Sequence, residues 1–278
     1  MRVTVHETVA AFDTAAAPLY AADPVRHTIG LTVLDGLREG GHSAALLLTV
    51  AHRGAVVGAL LQESGWPAVV SALPPRFAAA AAERVEAGLS AVNGPVAEAE
   101  AFAAAYSAGT GAATEVAMRM RLFRLVTLIP PTCVPGAARV ATDADVDLLV
   151  DWTAAFTVEA VQALDPPKDP RPVVVESMRR GAGYLLWEVD GVPVAFAGAR
   201  RPMGPMSRVG PVYTPPESRG RGYGTAVTAA ATAWACAAGA RDVVLFTDLT
   251  NPVSNAIYPR IGYRPVLDAL ELRFTPHA

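Results

Sequence analysis

Cysteine is scarce in this chain: its 278 residues include only Cys133 and Cys236. Two cysteines cannot form a disulfide framework, and no C-x-x-C pair indicates a zinc or redox site. The five histidines are also poorly spaced for metal binding, because none occurs at i, i+4 and no H-E-x-x-H pattern is present. The sequence therefore predicts no metal site.

An excess of positive charge is equally absent. Lysine and arginine total 23 against 26 aspartates and glutamates, a net charge of −3. We therefore expect neither a nucleic acid nor an anionic membrane as a partner. Long strongly apolar runs are missing too, since the longest uncharged stretch, Gly222 to Ala240, is mostly Ala, Gly and Thr. The opening residues lack the apolar core of a signal peptide, so we expect a cytoplasmic protein.

What the chain does have is apolar content sufficient for a core. It is 52% hydrophobic with a mean hydropathy of +0.30, which is typical of a globular protein. Its length favours two modest domains. The Pro-rich stretch from Ile129 to Gly136 indicates the boundary, which predicts one domain over residues 1–130 and another over 137–278.

The two halves repeat one pattern. In the second half, strands at 184–189, 193–200 and 206–214 lead into a glycine-rich turn and a helix over 223–238. In the first half, strands at 45–51, 55–62 and 68–73 lead into Pro74-Pro75 and a predicted helix over 77–89. The halves therefore look like copies. The first copy has no glycine between the strand and the helix.

The glycine-rich turn is the segment that carries chemistry. It reads Arg219-Gly220-Arg221-Gly222-Tyr223-Gly224 and joins a strand to a helix start, where backbone amides and the helix dipole favour a pyrophosphate. A Rossmann fingerprint does not fit, because Thr225 occupies the place of the third glycine. A Walker A loop does not fit either, because no Gly-Lys-Ser/Thr is present.

Two segments, in this order, resemble a known family. The string from Val212 to Ala226 resembles motif A of the GNAT superfamily of N-acetyltransferases, and the string from Asn251 to Pro265 is similar to a later motif of that family. The resemblance implies an α+β (mixed α/β) fold of two GNAT-like domains, each a mixed, mostly antiparallel sheet flanked by helices. The N-terminal copy would be degenerate and the C-terminal copy would bind acetyl-CoA.

The resemblance also implies a role for individual residues. The backbone of Val212, Tyr213 and Thr214 would pair with the pantetheine arm, and Asn251 and Asn255 would contact the same arm. Tyr258 would protonate the leaving thiolate as general acid. The residues implied to hold the pyrophosphate are Arg219, Gly220, Arg221, Gly222, Tyr223, Gly224 and Thr225. Acetyl-CoA would be the acetyl donor and a primary amine the acceptor, reacting by direct attack in a ternary complex.

The general base stays open at this level. Many relatives place a glutamate on the strand before motif A, but residues 206–212 contain no carboxylate. Ordered water, Glu159 or Glu188 could take the proton, whereas Glu217 is expected to have a surface or capping role. The sequence identifies neither the acceptor nor the oligomeric state, monomer or homodimer. The alternative function is a catalytically silent CoA-binding regulatory or interaction protein.

Overall fold

The computed structural model describes residues 1–40, 43–160 and 169–276. Two of the five histidines, His42 and His277, lie outside these ranges, as do parts of the predicted 137–278 domain. The described strands are β1 (Arg2–Val5), β2 (Ala44–His52), β3 (Ala55–Glu63), β4 (Ala68–Ala72), β5 (Ala91–Pro95), β6 (Ala113–Leu125), β7 (Ala137–Val140), β8 (Gly183–Val189), β9 (Val192–Ala199), β10 (Met206–Tyr213), β11 (Asp242–Asp248) and β12 (Tyr263–Thr275). The described α-helices are α1 (Val9–Ala22), α2 (Thr28–Arg38), α3 (Ala78–Ala82), α4 (Val96–Thr110), α5 (Val146–Ala160), α6 (Arg171–Arg179), α7 (Tyr223–Ala237) and α8 (Pro252–Arg260).

The chain divides into two compact units. Unit 1 contains Met1–Arg121 and Leu267–Ala278, and unit 2 contains Leu122–Val266. This division differs from the predicted domains 1–130 and 137–278. Strand β6 crosses the division at residue 121, ahead of the Pro-rich stretch, and the second half of β12 buries Leu270, Leu272 and Phe274 in the unit 1 core. Apolar burial, rather than the proline content of a connection, therefore sets the boundary.

Unit 1 contains a mixed sheet in which β1 to β5 are adjacent in numerical order and β12 follows β5. Strands β1 to β4 pair antiparallel, β4 and β5 pair parallel, and β5 and β12 pair antiparallel. Helix α1 packs against β2 and β3, α2 packs against β3 and β4, and α4 packs against β4 and β5. Both faces of this sheet therefore have a buried apolar core.

Unit 2 has the same plan. Its sheet runs in the order β6-β11-β10-β9-β8-β7, with β10 and β11 parallel and β7 to β10 antiparallel. The core on one face includes residues of α7, and the core on the other includes residues of α5 and α6. A capping box precedes α5, in which the side chains of Thr142 and Asp145 each accept from the other's backbone amide. The predicted fold class, with a mostly antiparallel sheet and flanking helices in both copies, is confirmed.

The two units also have the same order of elements, from a first strand and two helices to a final helix and strand. One predicted element is wrong in extent: the helix expected over 77–89 is only α3, which ends at Ala82. The backbone amides of Gly88 and Leu89 instead donate to the hydroxyl of Tyr106, at 2.9 Å each. Bonds to a side chain of α4 thus replace helical bonds in this loop.

Candidate functional site

The candidate site begins where two parallel strands of unit 2 separate. Strands β10 and β11 pair from Met206 to Arg208, opposite Asp242 to Val244. Both strands continue beyond this point, to Tyr213 and Asp248, without a further ladder pair between them among the described residues. On its other edge, β10 remains bonded to β9, with a register shift between Val209 and Val212. One backbone edge of Val209 to Tyr213 is thus available for an extended ligand.

The glycine-rich turn connects the end of β10 to α7. Gly220 and Gly222 have φ values of +76° and +84°, a left-handed conformation that side chains disfavour. A Cβ at Gly222 would lie 3.2 Å from Cγ2 of Val134, and a Cβ at Gly224 would lie 3.2 Å from Oγ1 of Thr214. The first two glycines therefore permit the turn, and Gly224 permits close approach of the helix to the strand end.

The backbone amides of this turn are available. Ala226 N donates to Gly222 O at 3.0 Å, and Gly222, which caps α7, makes no side-chain cap bond. Within the described part of the chain, no acceptor is bonded to the amides of residues 220–225. Tyr223 is buried, Gly224 and Thr225 are half-buried, and Arg221 is exposed without an ion pair to a described residue. A run of open amides at a helix N-terminus is a place for an anion.

Arg219 is placed differently from Arg221. Its Nε donates to Thr214 O at 2.8 Å, its Nη2 donates to Oε2 of Glu159 at 2.5 Å, and its guanidinium lies 5.7 Å from the centroid of the Tyr213 ring. The Tyr213 hydroxyl donates to Oε1 of Glu159 at 3.2 Å. Burial, followed by the nearby charge of Glu159, raises the pKa of Tyr213. The guanidinium of Arg219 is thus held by groups of the protein, and its contact with a pyrophosphate stays a prediction.

Both asparagines of the later motif shape the start of α8. Oδ1 of Asn251 accepts from Ser254 N at 3.0 Å as the N-cap. Nδ2 of Asn255 donates to Asp248 O at 2.8 Å and to Asn251 O at 2.7 Å. These bonds tie α8 to the end of β11. Their predicted contact with the pantetheine arm is untested, and the bonds supply a structural role that the motif alone did not indicate.

Tyr258 lies on α8, one helical turn after Asn255, and is buried. It belongs to the same buried cluster as Tyr223 of α7 and Leu245 of β11, and its ring lies 5.9 Å from that of Phe123. Burial raises the pKa of Tyr258 to about 12, against a smaller opposing effect of a hydrogen bond with Ser254. The phenol is therefore protonated at neutral pH, as a proton donor must be.

Both glutamates considered as a base are bound by other side chains. Glu159 is bound by Arg219 and Tyr213, and Oε1 of Glu188 accepts from Nε of Arg139 at 2.7 Å. Arg139 also binds Asp145, so Glu188 belongs to a network at the start of α5. Glu217 is exposed in the turn before α7, in agreement with a surface role. Among the described residues, no group of three His, Cys, Asp or Glu side chains is placed to hold a metal ion.

Sequence reasoning missed Arg208, which is the last residue of β10 paired with β11 before the strands separate. The sequence carried one signal for it: Arg208 is the only charged residue in the strand from Met206 to Tyr213. Asp248, at the end of β11, was also not considered; its Oδ1 accepts from Thr250 N at 2.8 Å.

The described part of unit 1 has no equivalent of the open turn. Its turn after β4 contains Pro74, Pro75 and Arg76 in place of glycines. Phe77 N donates to Pro74 O at 2.9 Å, and Ala78 N donates to Pro75 O, so the amides at the start of α3 are already bonded. The turn in unit 1 therefore has fewer open backbone amides for binding an anion than the turn in unit 2.

These features coincide with a family match. Residues 147–263 match the model of the acetyltransferase (GNAT) family. The matched segment contains the strand opening, the glycine-rich turn and Tyr258. None of the described helices is both long and apolar enough to cross a membrane.

The fold of the whole chain is similar to solved GNAT structures. A GCN5-related N-acetyltransferase from Kribbella flavida has 22% identity and a TM-score of 0.58, with 91% of this chain and 96% of that one covered. A tandem GNAT protein from the clavulanic acid biosynthesis pathway has 15% identity and a TM-score of 0.57, with 99% and 98% covered. A GNAT acetyltransferase from Colwellia psychrerythraea has 11% identity and a TM-score of 0.57, with 99% of both chains covered. No curated protein matches the sequence significantly. The chain thus has the fold of a tandem GNAT protein.

Proposed function

We propose that unit 2 binds acetyl-CoA and transfers its acetyl group to a primary amine. The observation that carries the proposal is the run of unbonded amides at residues 220–225, at the start of α7 and next to the end of β10. Two glycines with positive φ hold this run in shape, and Arg221 adds a positive charge that is paired with no described residue. A pyrophosphate satisfies such a site because its oxygens accept from several amides at once.

The rest of the cofactor fits the strand opening. The pantetheine arm is extended and carries amide groups, so it can pair with the available backbone edge of Val209 to Tyr213. Its thioester would then lie deeper in the opening, towards Arg208, where β10 and β11 begin to separate. This direction places the phosphates at the turn and the reacting carbon inside the protein.

The proposed reaction is direct attack within a ternary complex. The amine nitrogen attacks the thioester carbonyl carbon, a C–N bond forms, and the C–S bond breaks. Tyr258 stabilises the departing thiolate by donating from its hydroxyl, and the proton lost by the amine leaves through water. Most of the acceleration comes from holding the amine and the thioester in line. No carboxylate is assigned as base, because Glu159 and Glu188 are both bound by arginines.

The same two ion pairs favour a second candidate function, which is CoA binding without transfer. An engaged Glu159 and an engaged Glu188 leave the proposed cofactor site without an obvious base. Such a protein would bind acetyl-CoA with the same turn and act as a regulator. Single-turnover acetylation of a panel of amines separates the two functions, since the regulator forms no acetylated product.

The decisive experiment compares two glycine variants with matched backbone strain. Gly220 and Gly191 both have a φ of +76°, and an added Cβ would meet no atom within 4 Å at either position. Gly191 lies in the hairpin between β8 and β9, away from the turn. Gly220→Ala and Gly191→Ala should therefore lose similar stability, about 1–2 kcal/mol. Calorimetric titration with acetyl-CoA should show one equivalent bound by the native protein and by Gly191→Ala.

The Gly220→Ala variant should bind acetyl-CoA at least tenfold more weakly, because a methyl group beside the proposed phosphate site would crowd the phosphates and distort the amide run. Equal affinities of the two variants would show that the turn does not hold the cofactor. Two equivalents bound by the native protein would contradict a single site in unit 2.

A further inference from the structure

Two arginines of unit 2 lie directly opposite each other, Arg208 on β10 and Arg200 just beyond the end of β9. Arg200 N, just beyond β9, donates to Arg208 O of β10 at 3.0 Å. Residues opposite each other on antiparallel strands project from the same face of the sheet. Like charges in this arrangement repel each other across the sheet.

The face in question is the one covered by α5 and α6. Phe196 belongs to the buried cluster that includes Leu149 of α5 and Val174 of α6. Arg200 follows Phe196 by four residues along an extended strand and shares its face. Tyr184 confirms this assignment, because it belongs to the same cluster and the charge of Arg200 acts on its hydroxyl.

Arg208 has no anionic partner in the part of the chain that the structure describes. Among the described residues, no carboxylate or hydrogen-bond acceptor is bonded to its side chain. Arg208 is half-buried, and Val244, its pairing partner on β11, is fully buried. Desolvation of the guanidinium, followed by the positive charge of Arg200, lowers the pKa of Arg208 to about 9. A desolvated cation without a counter-ion costs stability, and an anionic ligand would offset that cost.

The position of Arg208 specifies what that ligand is. It forms the last ladder pair with β11, opposite Val244, directly before the strands separate. An anion bound there would lie at the base of the strand opening, next to the place proposed for the thioester. The proposed pyrophosphate site is at the other end of the opening, at residues 220–225, beyond the end of β10 at Tyr213. An anion at Arg208 therefore belongs to the acceptor and not to the phosphates of the cofactor.

We propose that the acceptor carries a carboxylate close to its primary amine, as a free amino acid does, and that Arg208 binds this carboxylate. The inference rests on the proposed function, because it places the acceptor beside the thioester. A guanidinium can donate two parallel hydrogen bonds to a carboxylate, which would fix the amine at a set distance from it. Arg208 is thus a specificity-determining residue.

The test uses pairs of acceptors that differ in one group. Amino acids and their carboxamides are offered to the native protein with acetyl-CoA, and acetylation is followed by mass spectrometry. The variants are Arg208→Gln, Arg208→Lys and, as a matched loss of one charge, Arg241→Gln at an exposed position before β11. The native protein and Arg241→Gln should prefer the acid to the carboxamide at least tenfold in kcat/KM.

The Arg208→Gln variant should raise KM for the acid about 10- to 100-fold, which corresponds to the loss of a charge-assisted hydrogen bond, and should leave the carboxamide unaffected. Arg208→Lys should recover part of the preference. The affinity for acetyl-CoA should remain native in both variants. Because the guanidinium has no partner among the described residues, Arg208→Gln should not lower the Tm.

Three results would overturn the inference: no preference for the acid, no amino acid acetylated while other amines are, or an equal fall of kcat for acid and carboxamide. The last result would indicate that Arg208 acts on the thioester oxygen. Failure of the native protein to bind acetyl-CoA would instead remove the proposed function itself, so the two failures are distinguishable.

Discussion

Replacing Tyr258 with phenylalanine tests the chemical step. Burial raises the pKa of Tyr258 to about 12, whereas an ordinary thiol has a pKa of about 8.5. Complete proton transfer from the phenol to the thiolate is therefore uphill by about three to four pKa units, and hydrogen-bond donation to the developing thiolate makes up most of the effect. General acid catalysis contributes about 10²- to 10⁴-fold. We expect Tyr258→Phe to lower kcat by about 10²-fold, at the lower end of that range.

A matched variant separates this effect from loss of structure. Tyr263 is fully buried, and its hydroxyl lies 2.6 Å from Oγ1 of Thr232. Each substitution removes one buried hydroxyl and should cost about 1 kcal/mol of stability. Only Tyr258→Phe should slow acetyl transfer, measured as single-turnover product formation with acetyl-CoA saturating.

The pH dependence provides a second reading of the same residue. Tyr258 stays protonated in the folded protein well above pH 10. Its deprotonation should therefore not reduce the rate below pH 10, and the pH–rate profiles of the native protein and Tyr258→Phe should have the same shape up to that pH. Native kcat in the Tyr258→Phe variant, or an equal loss in Tyr263→Phe, would refute the assignment of Tyr258 as the donor.

Two further predictions concern unit 1. Burial lowers the pKa of His27 to about 4, and its Nδ1 lies 3.1 Å from the Ser71 hydroxyl. The imidazole of His27 is protonated near pH 6.5 in the unfolded chain but only near pH 4 in the folded chain, so the free energy of unfolding should fall by about 3 kcal/mol as the pH drops from 6.5 to 4. In chemical denaturation, the stability of His27→Gln should depend less on pH over this range. The same pH dependence in both proteins would contradict the reasoning. Phe274 of β12 is 6% exposed and its ring lies 4.6 Å from that of Tyr106, so Phe274→Ala should cost about 3–5 kcal/mol of the free energy of unfolding. A loss below 1 kcal/mol in urea denaturation would show that β12 does not complete the unit 1 core.

Local features of the site followed directly from sequence. The turn at Gly220 and Gly222 was predictable because only glycine adopts positive φ readily, and both residues do so here. The strand before the turn and the helix after it were predicted within a few residues. The repeated order of elements was also visible, since alternating apolar strands and turn residues encode it in both halves.

Side-chain partners were not predictable in the same way. Motif A places Arg219 in the turn, but its bond to Glu159 depends on where α5 ends in space, 60 residues earlier. Asn251 and Asn255 matched a family motif, and only the fold revealed that they cap α8 and hold it to β11. The helix predicted over 77–89 ended at Ala82 because the side chain of Tyr106, from another helix, takes the loop amides.

By itself the sequence determined the fold class, the tandem arrangement and the conformation of the glycine-rich turn, since each of these depends on local periodicity or on the backbone preference of individual residues. Only the tertiary structure decided which unit receives the end of the chain and which charges remain without partners. Leu270, Leu272 and Phe274 read as an ordinary final strand, yet their side chains are buried in the unit 1 core. In the sequence Arg208 is one of many arginines. Only the fold places it between Arg200, just beyond β9, and Val244 of β11. Burial and charge pairing depend on residues distant in sequence, and those distances are set by packing.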